Sequence, residues 1–163
     1  MMKAVLKILM VLALGVLAQV ASAEGGIQIS DPWVQAAPPN AKVMAAYLEI
    51  HNNGKKSQTI TGAASPAFGQ IGIHQSVMHG NMVHMEHMKE LAIPPGVSVA
   101  LKPGGMHLML MEAKKPLQIG DQVHITLIFK GGEKIPFTAL VRSGQTGNME
   151  DHSHMDHSKH GSH

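Results

Sequence analysis

The sequence predicts an all-β domain, an antiparallel β-sandwich or barrel, followed by a polar tail rich in histidine and methionine. Three observations predict it. Short β-like runs recur from Ile27 to Val141 with no sustained helical period. Clusters of Gly, Pro and Asn punctuate them at close intervals, as the turns of an antiparallel sandwich or barrel require. From Ser143 onward the hydrophobic periodicity stops.

The first 23 residues read as a secretory signal: Lys3 and Lys7, an apolar run from Ile8 to Ala18, then Ala21-Ser22-Ala23 as a small-residue cleavage site. The apolar run is shorter than the ~20 residues a bilayer span needs. Cleavage after Ala23 removes Lys3 and Lys7, leaves 11 basic and 11 acidic residues, and makes Glu24 the new N-terminus. That balance, with aromatic residues at only 3%, argues against a nucleic-acid interface. The implied compartment is the periplasm, with no membrane span left after cleavage. An exported chain with no cysteine must be held by its core alone, and it has no thiolate to offer a metal.

Residues 24–142 then form one domain. Its candidate strands are Ile27 to Ile29, Trp33 to Ala36, Val43 to Asn52, Gln58 to Ala64 and Gly69 to Met78, followed by Met82 to His87, Val97 to Leu101, His107 to Met111, Gln122 to Phe129 and Lys134 to Val141. Turns fall at Pro38-Pro39-Asn40, Asn52-Asn53-Gly54, Gly80-Asn81, Pro94-Pro95-Gly96, Pro103-Gly104-Gly105, Gly120-Asp121 and Gly131-Gly132. In the run from Gln122, Val123, Ile125, Leu127 and Phe129 share one face, which leaves His124 pointing away from the core. His51 and His124 are read as surface histidines.

The chemistry concentrates between Ile73 and Met111, which hold His74, Met78, His79, Met82, His84, Met85, His87, Met88, Met106, His107, Met109 and Met111. Thioether and imidazole donors together suit copper, Cu(I) above all, whereas calcium and magnesium want oxygen and structural zinc favours thiolates. Strand alternation sets His74 opposite Ile71 and Ile73, and it sets His107, Met109 and Met111 opposite Leu108 and Leu110. A hairpin at Gly80-Asn81 brings Met85 back toward His74. Met44 and Met111 fit as core filler. The surplus Met78, His79, Met82, His84, His87 and Met88 are either bystanders or auxiliary ligands.

The order His74, ten residues, Met85, twenty-one residues, His107, one residue, Met109 resembles the H-x(10)-M-x(21)-H-x-M signature of the PCuAC periplasmic copper chaperones. The flanks DPWVQAAPPNAKVMAAYLEIHNNG and LKPGGMHLMLMEAKKPLQIGDQVHITLIF are also similar to that family, so the resemblance covers Ile27 to Val141. It implies a cupredoxin-like β-sandwich whose His74, Met85, His107 and Met109 bind Cu(I), and delivery of that copper to the Cu-A centre of cytochrome c oxidase. The partner is then the oxidase subunit carrying the Cu-A site or its assembly factor, the chaperone a monomer, and the protein not an enzyme.

The tail, 143–163, is expected to be disordered. His152, His154, Met155, His157, His160 and His163 offer additional metal ligands, suited to Cu(II) on a chain that can rearrange around the ion. Two other functions compete with delivery. The excess of His and Met points to copper storage or resistance. Redox or oxygenase chemistry is disfavoured, since a blue-copper site needs a cysteine and a histidine brace needs histidine where Glu24 begins the mature chain.

Overall fold

In the computed structural model, residues 26–144 are described. The expected signal at 1–23 therefore lies outside the described residues, as does all of the expected tail after Gly144. The candidate tail ligands His152, His154, Met155, His157, His160 and His163 lie there too.

The described chain holds ten strands: β1 (Ile27–Gln35), β2 (Val43–Asn52), β3 (Gln58–Ala64), β4 (Phe68–His79), β5 (Met82–Met88), β6 (Leu91–Ile93), β7 (Ser98–Leu101), β8 (Met106–Ala113), β9 (Gln122–Phe129) and β10 (Lys134–Arg142). Seven of them close a barrel in the order β4-β8-β2-β1-β10-β9-β3, with β3 returning to β4. The remaining three extend its rim: β5 on β4, β6 on β3, and β7 on β2. The all-β, cupredoxin-like expectation holds, with one refinement: β1 pairs β10 in parallel while every other pairing is antiparallel. No helix among the described residues is long and apolar enough to cross a membrane.

The barrel closes because alternate residues of its strands are large and apolar. Val123, Ile125, Leu127 and Phe129 of β9 are buried together with Ile71 and Ile73 of β4 and Leu108 and Leu110 of β8. Met44 belongs to this core as expected, but Met111 does not. Met111 shares a strand parity with His107 and Met109, so it lies half-buried on the outer face.

Two departures from the expected elements have local causes. The runs Ile27 to Ile29 and Trp33 to Ala36 are one strand, interrupted by a bulge between Ser30 and Trp33. Asp31 takes a φ of 43° there, and Pro32 has no N–H to give the ladder, so the strand bends without ending. Strand β6 was not expected at all. Three residues before Pro94-Pro95 are too few to show a period, and they become a strand only by pairing with Gln58, Thr59 and Ile60 of β3.

Asn52 fastens that corner. It is 1% exposed, its Nδ2 donates to the carbonyls of Lys56 at 2.8 Å and Ile93 at 2.9 Å, and its Oδ1 accepts from the Gly54 N–H at 3.0 Å. Replacing it with alanine leaves buried polar groups unpaired. Asn52→Ala is expected to cost about 2 kcal/mol of stability in urea denaturation; a change below about 0.5 kcal/mol would contradict this role.

Candidate metal centre

Register brings the predicted residues together. His74 of β4 stands directly opposite His107 of β8, their rings nearly parallel with centroids 6.1 Å apart and 20° between planes. Met109 stands opposite Gly72, and Met85 of β5 stands opposite Ser76, one diagonal step from His74. Directly opposed residues and residues two apart point the same way, so all four side chains share one face. It is the outer face, because Ile71, Ile73, Leu108 and Leu110 occupy the other. The residue directly opposite His74 on β5 is His87, with ring centroids 5.1 Å apart.

A cleft of about 350 Å³ opens on this face, lined by Met85, His107, Met109, Tyr47, Val43 and Gln35 among others. The lining changes from wet to dry across it. Met85 is 60% exposed, Met109 half-buried and His107 only 5% exposed.

Hydrogen bonding fixes His107. Its Nδ1 lies 3.1 Å from the Gly105 carbonyl, which can only accept, so Nδ1 carries the proton and Nε2 keeps its lone pair. The same carbonyl accepts the Ser76 N–H at 3.2 Å, tying the turn before β8 to β4. A backbone acceptor that sets a ligand's tautomer in this way is a common support for metal-binding histidines.

His74 is the opposite case. Its Nδ1 is buried without a hydrogen-bond partner. Burial lowers its pKa below 6.5; the nearby Gly72 backbone opposes this without reaching hydrogen-bond geometry, and His87 and His107 push it lower still. The imidazole is therefore neutral at pH 7, as a ligand must be. Its ring leans over Gly72, where a Cβ would come within 2.8 Å of Cε1, so any side chain at 72 displaces it.

Tyr47 lines the cleft beside His107, and Trp33 packs against Tyr47. Trp33 and Tyr47 pair across β1 and β2 with centroids 4.7 Å apart, Tyr47 lies 6.5 Å from the His107 ring, and its hydroxyl donates to Gln35 Oε1 at 3.2 Å. Burial raises the Tyr47 pKa, so the phenol stays neutral and adds no charge beside the imidazoles. Sequence reasoning missed this pair. A signal existed: the chain has one Trp and one Tyr, and Trp33 and Gln35 share a strand parity.

Register also sorts the surplus residues. Met78 and His87 share the face of His74. Met88 and Met106 pack against the core. His79, Met82 and His84 project from the reverse face of the hairpin, where His79 Nε2 lies 3.3 Å from Glu86 Oε1 and 5.3 Å separates the His79 and His84 rings. His51 and His124 stay apart from the site, bonded to Ser98 Oγ at 2.9 Å and Thr138 Oγ1 at 3.0 Å. Among the described residues, no three His, Asp or Glu side chains are already grouped to hold an ion.

Residues 27–141 match the family described as "Putative lipoprotein LpqE-like". The chain belongs to this family, the PCuAC family. A relative from Leifsonia xyli subsp. xyli, "Putative lipoprotein Lxx21020", is 33% identical over 124 residues, which cover 76% of this chain and 74% of the relative. The solution structure of Cu(I)-DR1885 from Deinococcus radiodurans is 30% identical with a TM-score of 0.62, over 78% of this chain and 87% of that one. The copper-bound PCuAC domain from PmoF2 has a TM-score of 0.64 at 23% identity, over 75% and 97% of the two chains, a likeness of fold.

For the metal-free PCuAC domain the state of His74 has a pH consequence. The unfolded chain takes up a proton near pH 6.5, which the folded His74 accepts only at lower pH. This contribution to stability is complete above about pH 6.5 and is lost as pH falls through the lowered folded value. A histidine-resolved NMR titration should place the His74 midpoint below 6.5; a midpoint at or above it would contradict the burial argument.

Proposed function

We propose that this protein is a periplasmic copper chaperone that carries one Cu(I) per domain on His74, Met85, His107 and Met109. The observation that supports it most is the placement of two imidazoles and two thioethers on one outer face beside a cleft, with the His107 tautomer already set. Neutral sulfur and nitrogen donors favour Cu(I) over harder ions and need no deprotonation beyond a neutral imidazole. The Cu(I)-bound Deinococcus radiodurans structure, at 30% identity, supports the same reading.

Delivery needs a site that can be dismantled from outside. Exposed Met85 at one side and buried His107 at the other allow an acceptor to displace the outer thioether first and the inner imidazole last. The acceptor in this reading is the Cu-A centre of cytochrome c oxidase or its assembly factor, the carrier acts as a monomer, and it performs no catalysis. Export rests on the N-terminal signal pattern. The family description and the Leifsonia relative's name speak of lipoproteins, yet these 163 residues contain no cysteine, so none of them can take a thioether-linked lipid.

Storage is the second reading, favoured by donors in excess of one ion: His79, Met82 and His84 on the reverse face, and the tail residues His152, His154, Met155, His157, His160 and His163, which would add Cu(II). Metal titration separates the readings. Delivery expects one tight Cu(I) and transfer to an apo Cu-A domain; storage expects several coppers and no selective transfer.

His107→Ala and Met109→Leu should each weaken Cu(I) binding by about 10- to 100-fold or more in competition with a Cu(I) chelator at pH 7. Unchanged affinity in both would reject the ligand assignment.

A further inference from the structure

We propose that His87 is a further copper ligand, and that the same site holds Cu(II) through His87, His74 and His107 as well as Cu(I) through the sulfur-bearing set. This rests on the reading of the site given above and deepens it.

Sheet register carries the first step. His87 of β5 pairs directly with His74 of β4, which pairs directly with His107 of β8, so three imidazoles stand in a row across three neighbouring strands and on one face. Two imidazoles that bind one ion through nitrogens about 2.0 Å away, at a tetrahedral angle, have ring centres roughly 5 Å apart. The His87 and His74 centroids are 5.1 Å apart, already a chelating separation. His107 lies one strand further on the other side of His74, its ring 6.1 Å away, so it joins the ion only when the His87 and His107 side chains close toward His74; no three such groups surround one point beforehand among the described residues.

Gly72 carries the second. A Cβ at this residue would lie 3.3 Å from His74 Nδ1 and 3.4 Å from His87 Nδ1. Both nitrogens therefore border one small space that exists because residue 72 has no side chain. His74 Nδ1 is buried and has no partner within the protein, while a cation in that space would give it one. Met109, opposite Gly72, supplies the adjacent thioether.

Chemistry decides what His87 adds. Cu(I) accepts thioether sulfur readily, whereas Cu(II) prefers imidazole nitrogen in a tetragonal arrangement. Met85 and His87 sit two apart on β5, on the same face, one opposite Ser76 and the other opposite His74. One strand thus offers the ion a thioether or an imidazole from neighbouring positions, so the donor set can follow the oxidation state without rearranging the barrel.

The test uses the full chain with His152, His154, His157, His160 and His163 changed to serine, so that the tail does not compete for Cu(II). Pulsed EPR counts imidazoles on Cu(II), while chelator competition gives the affinity for each oxidation state. His87→Ala is expected to lose one imidazole from the Cu(II) count and at least about tenfold in Cu(II) affinity, with Cu(I) affinity shifted by less than about threefold. Its exposure on β5 makes a folding defect a poor explanation, and an unchanged thermal midpoint checks this. An unaltered imidazole count and Cu(II) affinity overturn the proposal. An equal loss in His84→Ala, on the reverse face, overturns it too. Should the parent protein bind Cu(I) without using His107, the reading of the site itself fails, and that result is independent of His87.

Discussion

The pairing of β4 with β8 is the constraint on which the rest depends. It sets His74 against His107 and, one residue away, Ile73 against Leu108. Side chains alternate faces along a strand, so the same register that buries isoleucine and leucine inside the barrel presents imidazoles outside it. A slip by one residue would bury two histidines without partners and expose the core, a loss on both sides of the sheet. Core packing therefore enforces the placement of these side chains, and the candidate copper-binding face needs no rigidity of its own.

Around that pairing the face is graded. Near the aromatic pair Trp33 and Tyr47 it is dry, and His107 is held by the Gly105 carbonyl. Toward the β4–β5 hairpin it is open, with Met78, Val83 and Met85 among its exposed apolar side chains. A carrier benefits from both ends: fixed donors at one define the site, and loose donors at the other let the ion enter and leave. Methionine suits the loose end because its unbranched, polarisable side chain adapts to more than one neighbour.

Much of this was legible in the sequence, and the limits are physical. Period-2 alternation identified β9 and the two sides of β4 and β8, because Val123, Ile125, Leu127 and Phe129 fill one face of β9 and the pairs Ile71 and Ile73, Leu108 and Leu110 mark the inner face of the other two. The spacing from His74 to Met109 pointed to the residues that register then placed side by side. Long-range pairing was not legible: nothing local announces that β1 runs parallel to β10, or that Leu91–Ile93 finds an edge on β3. The partner of His74 on β5 was likewise hidden. A hairpin at Gly80-Asn81 implied proximity, but only the register of seven paired residues shows His87, rather than Met85, directly across from it. Trp33 and Tyr47 went unnoticed because their contribution is packing beside His107, not a donor.

X-ray absorption at the copper edge, on the full chain loaded with one equivalent of Cu(I), tests the central claim most directly, since sulfur and nitrogen neighbours are distinguishable. Two sulfur and two nitrogen scatterers are expected for the set His74, Met85, His107 and Met109, with the sulfur contribution lost when Met85 and Met109 are both changed to leucine. A spectrum without sulfur, or one whose sulfur count survives that double change, would contradict the account.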